Sequence, residues 1–197
     1  MNGSTSVSLV GVGGQGVLLA AAVLAQAALL DGLDVKASEV KGMAQRGGSV
    51  LSTVRFGAAV FSPVATHVEV VIAMELLEGR RAVPLLVSGG ALVCATTRVP
   101  PGCVLRGEAE YPEDIAAAAA KRRVRLLEVD AERLAARVGT VRAANTVLLG
   151  VASAVLPFTD AAWNGALQAV LPSKIVEINR RAFQLGRDAV PATEVRK

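Results

Sequence analysis

Six residues near the amino terminus restrict what this chain can fold into more than any others. Gly11-Val12-Gly13-Gly14-Gln15-Gly16 satisfies the pattern G-x-G-x-x-G. The apolar run Val7 to Val12 leads into it and reads as a short buried strand. Val17 to Leu30 follows, with alanine and leucine on nearly every face, and reads as a buried helix. Glycines tolerate positive φ and carry no side chain, so the backbone can turn sharply and approach a ligand closely. Free N–H groups at the helix start favour an anion such as a phosphate. Residue types alone leave two readings open, a phosphate cradle and a ligand-free strand-to-helix turn. Under the first, Gly11, Gly13, Gly14, Gln15 and Gly16 are candidate cofactor-binding residues.

The rest of the chain alternates strand and helix signals. Asp31-Gly32 stops the first helix. Strands are expected at Asp34 to Val40, Ser49 to Phe56, Val68 to Ala73, Ala91 to Thr96 (after a turn at Gly89-Gly90) and Val124 to Val129. Helices are expected from Met74 to Arg81, Glu113 to Lys121, Ala131 to Val138, Thr146 to Leu156, Asp160 to Leu171 and Ser173 to Gly186. This order predicts an α/β, Rossmann-like layered domain with a mostly parallel sheet flanked by helices. Residues 1–190 are expected to form one domain, with 191–197 as a flexible tail. A dinucleotide fold would place an acid at the end of its second strand to hold a ribose. Asp34 and Glu39 are the candidates, but a glycine-rich loop rather than a crossover helix follows Glu39, so a plain NAD site fits poorly.

Composition narrows the function classes. Apolar residues make up 52% and charged residues 19%, the opposite of a disordered chain. So apolar a chain is expected to hide some of its surface against a partner. The net charge of +4 is not organised into a basic tract with aromatic stacking platforms, which argues against nucleic acid. Cys94 and Cys103 are too few for an iron–sulfur or zinc site, and no metal is expected on this chain. Val17 to Leu30 is short of the ~20 residues a spanning helix needs, and Met1 to Ser8 lacks a positively charged leader, so a cytoplasmic location without a membrane role is expected.

His67, the only histidine, reads as structural or exposed. Glu75 and Glu78 share a helix face, and a solvated face is preferred to a metal pair. Lys121-Arg122-Arg123 with Arg125 suits a helix C-terminus, with docking to an acidic partner as the alternative. Asn145 reads as a cap, and Asn179, Phe183 and Gly186 as packing residues.

The second informative stretch is Glu39-Val40-Lys41-Gly42-Met43-Ala44-Gln45-Arg46-Gly47-Gly48-Ser49-Val50. Such a loop can present Glu39, Gln45 and the planar fork of Arg46, suited to phosphate or carboxylate, though a solvated surface turn has the same residue types. GVGGQG followed some twenty residues later by E-x-x-G-M-A-Q-R-G-G-S-V resembles the gamma-type domain of 2-oxoacid:acceptor oxidoreductases, most nearly that of the indolepyruvate:ferredoxin oxidoreductase beta subunit. Val71 to Arg81, Asn145 with Leu149-Gly150, and Asn179, Ala182-Phe183 and Gly186 extend the resemblance over about residues 7 to 187.

The resemblance implies a small subunit that completes an enzyme with a large (alpha) partner. That partner would carry thiamine diphosphate, Mg and iron–sulfur clusters, and the complex would decarboxylate a 2-oxoacid to an acyl-CoA and pass electrons to ferredoxin. No cofactor is expected to be held firmly by this chain alone, and a homodimer is expected when it is isolated. CoA at the interface is the candidate ligand, with the Gly11 to Gly16 loop, Arg46, Gly47 and Gly48 as its contacts and Glu39, Gln45 and Arg46 as interface candidates near the chemistry. The rival readings are a stand-alone NAD- or flavin-binding oxidoreductase and a nucleotide- or CoA-sensing module.

Overall fold

The computed structural model describes residues 3–41 and 48–191. Six strands form one sheet: β1 (Thr5–Val12), β2 (Asp34–Lys41), β3 (Ser49–Gly57), β4 (Val68–Ala73), β5 (Leu86–Ala95) and β6 (Arg125–Val129), in the order β2-β3-β1-β4-β5-β6. β1, β4, β5 and β6 are parallel neighbours, whereas β3 runs antiparallel to both β1 and β2. The sheet is mostly parallel as expected and is mixed by one strand, β3, because β2 and β3 form a hairpin and need no crossover helix. The register pairs Val12 with Ser49 and Lys41 with Val50. The end of β2 and the start of β3 therefore lie at the carboxyl edge of the sheet, with β3 beside the end of β1.

The helices are α1 (Val17–Leu30), α2 (Leu76–Ala82), α3 (Gly102–Leu105), α4 (Ile115–Lys121), α5 (Ala131–Ala136), α6 (Ala144–Ala152), α7 (Asp160–Val170) and α8 (Ser173–Asp188). Alternating strand residues feed two cores. Val7, Leu9, Val54, Ile72 and Val93 face α1 and α5 to α8, while Val10, Val71, Leu92 and Cys94 face α2 and α4. α1 is apolar all round because strands β1 to β3 cover one side and α7 the other. α8 is amphipathic, and its buried residues Val176, Asn179, Ala182, Phe183 and Gly186 recur at helical spacing.

Gly89 and Gly90, expected as a turn before β5, lie inside it. They sit where the register with β4 slips between Val68 and Val70, as a strand irregularity rather than a chain reversal. Helix α2 begins at Leu76 rather than Met74, since Glu75 takes the cap position.

Small residues let α6 and α8 approach unusually closely. A Cβ on Gly150 would stand 2.1 Å from the carbonyl oxygen of Phe183, and one on Gly186 would stand 2.0 Å from that of Val147. Both obstacles are backbone, so neither can swing aside. Next to this crossing, rings from β3, α7, α8 and the loop between α6 and α7 interlock. Phe56 and Phe158 lie 4.7 Å apart, Phe158 and Trp163 5.4 Å, and Trp163 and Phe183 5.3 Å. Gly186→Ala is expected to lower stability by about 2–4 kcal/mol, as an overpacked core does. Gly3→Ala, whose added methyl meets nothing within 4 Å, should be neutral. Urea unfolding followed by far-UV circular dichroism checks both.

Candidate functional site

The glycine loop leaves β1 at its carboxyl end and turns into α1. Gly16 caps the helix in the left-handed conformation, φ 79°, and an added Cβ would meet the Asn145 amide nitrogen at 2.4 Å. Glycine is required there twice over, by the backbone angle and by the neighbour. Gln15 turns its side chain inward. Its Oε1 accepts from Val12 N at 2.7 Å, and its Nε2 donates to the Met74 carbonyl at 3.2 Å. The amide thus ties the loop to the ends of β1 and β4, and Gln15 acts as a brace. α1 has no acidic or basic residue in its first turn, so what it offers to an anion is backbone N–H and the positive end of its dipole.

Asn145 holds the loop from behind. Its Nδ2 donates to the Gly16 carbonyl at 3.2 Å, and its Oδ1 accepts from Thr146 N at 2.8 Å. The hydroxyl of Thr146 donates to Asn179 Oδ1 at 2.7 Å, and Asn179 Nδ2 donates to the Ile175 carbonyl at 2.8 Å. Asn145, Thr146 and Asn179 are all buried. They form a polar relay from the loop through α6 to α8, satisfied along its length. Asn145 lies within the first turn of α6 rather than at its cap, which is Ala143, and it carries the loop, a link that its position in the sequence does not disclose.

The two glycine-rich segments meet. Gly13 N donates to the Gly48 carbonyl at 2.9 Å. Gly11 lies within β1 opposite Val50, and Gly14 is exposed. Glu39 is exposed on β2, opposite Ser52. Gln45, Arg46 and Gly47, named from the sequence, lie outside the described residues, as do Gly42 to Ala44 and residues 192–197 of the expected tail.

A cleft of about 540 Å³ opens at this edge. Gly14 to Gly16 and the adjoining Asn145 line it, with Met74, Ala95 and Thr97 at and just beyond the ends of β4 and β5, and with Arg142. It lies where successive connections leave β1 and β4 in opposite directions along the sheet, the usual ligand crevice of open α/β sheets. Arg142 was not singled out in the sequence. It lies in the short 3-10 turn Val141–Ala143 that opens α6, with its N–H on the Thr140 hydroxyl at 3.3 Å. Only the fold brings it to the same cleft as the glycine loop.

Behind the cleft lies a carboxylate that the sequence suggested was solvated. Glu75 is fully buried and Glu78 nearly so. Glu75 accepts from Glu78 N at 2.8 Å, from Val99 N at 2.9 Å and from the Tyr111 hydroxyl, which itself accepts from Leu77 N at 3.0 Å. Glu78 accepts from the Ser49 hydroxyl and pairs with Arg81 at 2.8 Å. Burial costs these carboxylates little because donors surround them. They fasten the start of β3 and the α2 cap rather than hold a metal. Among the described residues no group of three or more His, Cys, Asp or Glu is placed to bind one. Burial, and then the Glu75 carboxylate, push the Tyr111 hydroxyl well above its usual range. Burial, with the charges of Glu128 and Glu75, keeps Cys94 a thiol. Cys94 and Cys103 are both free, and His67 is exposed on the far edge of the sheet. No described helix is long and apolar enough to cross a membrane.

The chain is similar to known proteins over nearly its whole length. It is 36% identical over 193 residues to the indolepyruvate oxidoreductase subunit IorB of Pyrococcus horikoshii, covering 92% of this chain and 93% of the relative. It is 33% identical over 195 residues to the protein of the same name from Thermococcus kodakarensis, with coverage of 92% and 93%. The crystal structure of a keto/oxoacid ferredoxin oxidoreductase gamma subunit from Geobacter sulfurreducens superimposes with a TM-score of 0.72 at 25% identity, covering 94% of this chain and 97% of that one. The family model for pyruvate ferredoxin/flavodoxin oxidoreductase matches residues 6–189. With the paired glycine loops at one sheet edge, these similarities establish that the chain belongs to the pyruvate ferredoxin/flavodoxin oxidoreductase family.

Proposed function

We propose that the chain is the small subunit of a thiamine-diphosphate-dependent 2-oxoacid:ferredoxin oxidoreductase acting on indolepyruvate or a related aryl pyruvate. In this reading it completes an active site with a larger subunit and is inactive alone. The observation that carries the reading is the Gly13–Gly48 hydrogen bond, which joins two side-chain-poor segments into one edge beside an open cleft. The substrate class rests on the names of the relatives at 33–36% identity.

Thiamine diphosphate with magnesium and the iron–sulfur clusters belong to the partner in this reading, since a buried thiol and one half-buried cysteine do not fit a cluster. Thiamine diphosphate supplies the carbanion chemistry of decarboxylation when bound there. This chain contributes a phosphate seat for CoA. The cleft volume lies within the usual range for small-molecule sites, roughly 300–1,000 Å³. Gly14, Gly16 and Arg142 line the cleft and offer N–H groups to an anion, whereas the Gln15 N–H is taken by the Val12 carbonyl at 3.1 Å. Leu19, Met74 and Leu148 give the cleft an apolar lining that shields these contacts from water.

Co-expressed with its larger subunit, the chain should yield an enzyme that reduces a viologen dye with indolepyruvate faster than with pyruvate, and neither subunit should do so alone. Equal activity of the larger subunit by itself would overturn the reading. Gly14→Asp places a carboxylate at an exposed position of the loop, and it should raise the KM for CoA at least tenfold, about 1.4 kcal/mol or more of like-charge repulsion. Gly14→Ala, with the same backbone conflict at φ 107° but no charge, should change it far less. Arg46→Ala should also raise this KM. A KM for CoA unmoved by both Gly14→Asp and Arg46→Ala removes CoA from the cleft.

A further inference from the structure

The chain has four phenylalanines, one tyrosine and one tryptophan. Phe56, Phe158, Phe183 and Trp163 form one buried stack, and Tyr111 is bonded to Glu75. Phe61 alone faces outward, 97% exposed. It sits in the segment 58–67 that crosses from β3 to β4 along the amino-terminal edge, opposite the glycine loops. Arg55 holds this segment in place. It donates to the carbonyls of Ser62 at 2.8 Å and Val64 at 2.9 Å, and to the hydroxyls of Ser4 at 2.8 Å and Ser6 at 3.1 Å. Asp34 accepts from Val60 N at 2.8 Å on the other side of Phe61. A polar scaffold therefore fixes the backbone on both sides of an aromatic ring that packs on nothing. Exposed Val64 stands next to it on the same scaffold.

The same edge is basic. His67, Lys121, Arg122 and Arg123 line a depression of about 560 Å³ between the starts of β4 and β5 and the end of α4. Arg123 has φ 55°, the one non-glycine residue with positive φ among those described. Arg122 is anchored to the Pro84 and Leu86 carbonyls at 2.8 and 2.7 Å. No described carboxylate pairs with Lys121 or Arg123. The acids nearby are engaged elsewhere, Asp34 on Val60 and Glu69 on Ser6 N at 2.7 Å. A second copy of this chain docked edge to edge would bring like charges together, which selects against self-pairing here.

We propose that this amino-terminal edge docks the larger subunit through an acidic surface of that partner, with Phe61 as the apolar anchor and Lys121 and Arg123 as the charge contacts. The inference rests on the two-subunit reading above. A preorganised aromatic knob on the same sheet edge as unpaired cations matches what interfaces use, aromatics and arginine in the core, while lysine at the rim steers encounter. Phe61 loses no intramolecular packing when replaced, so its effect on binding is separable from folding.

The test measures binding of the chain to the purified larger subunit by biolayer interferometry at low and high salt. Phe61→Ser should weaken binding about tenfold to hundredfold, as loss of an interface anchor does. The double charge reversal Lys121→Glu with Arg123→Glu should slow association about tenfold at low salt, and the gap should close at high salt. Lys174→Glu with Arg181→Glu, the same charge change on the exposed face of α8, should leave binding near that of the wild type. Wild-type affinity in both edge variants overturns the proposal, as does an equal loss in the α8 control. An intact complex with only ferredoxin reduction impaired also overturns it, by assigning the edge to the electron carrier. If the wild-type chain does not bind the larger subunit at all, the functional reading falls first and this one with it.

Discussion

A loop made of glycines cannot position itself, and the structure answers that constraint with the hydrogen bond from Asn145 to the Gly16 carbonyl. Glycines leave the turn without the side chains that would normally wedge it into place. Support must come from behind. Gln15 ties the loop to the ends of β1 and β4, Gly48 receives the Gly13 N–H, and Asn145 carries the load through Thr146 and Asn179 into α8. That relay works only if α6 and α8 lie almost in backbone contact, which Gly150 and Gly186 permit. Residues near positions 16, 145, 150, 179 and 186 thus belong to one mechanical unit, though they are spread over most of the chain.

This explains how the sequence could be read and where it stopped. The strand, glycine loop and helix at Val7 to Leu30 were legible because each step has its own local chemistry: an apolar run, a side-chain-free turn, an apolar helix. The strands at 34–41 and 49–57 were legible for the same reason, but their antiparallel pairing was not. Nor was their place in the sheet. Local patterning says that β2 and β3 exist, but not that β3 slots between β2 and β1. Asn179 and Gly186 read as helix interior, and only the crossing with α6 gives them their purpose. Glu75 and Glu78 read as a solvated face because carboxylates so rarely go inside unpaired. Their donors, Val99 N and the Tyr111 hydroxyl, come from 24 and 36 residues downstream of Glu75 and leave no local mark. Arg142 was missed because a lone arginine before an apolar helix carries no pattern of its own.

The two edges of the sheet divide the charged work between them. At the carboxyl edge backbone dipoles and Arg142 face an open cleft, and α1 adds no charge of its own. At the amino edge the cations are side chains on short, braced segments, and one ring protrudes elsewhere along that edge. The first arrangement suits a small anion that must be gripped closely, the second a broad surface that must be found from a distance. Both draw on the same composition, one poor in aromatics and rich in small apolar residues, which allows close backbone approach inside and leaves a single aromatic outside.

Sheet order also weighs against the chain acting as a stand-alone nicotinamide enzyme. In a dinucleotide fold the strand after the first helix lies next to the first strand, so that the acid at its end reaches the ribose above the glycine loop. Here β3 intervenes, and neighbouring strands are spaced about 4.8 Å apart. Glu39 therefore stands two strand spacings from β1, exposed on the edge strand and opposite Ser52. The inserted strand brings instead the base of the second glycine-rich loop against the first, through Gly13 and Gly48. What the fold gives up is the ribose acid of a self-contained cofactor site. What it gains is a backbone link between the two glycine-rich segments at the mouth of the cleft.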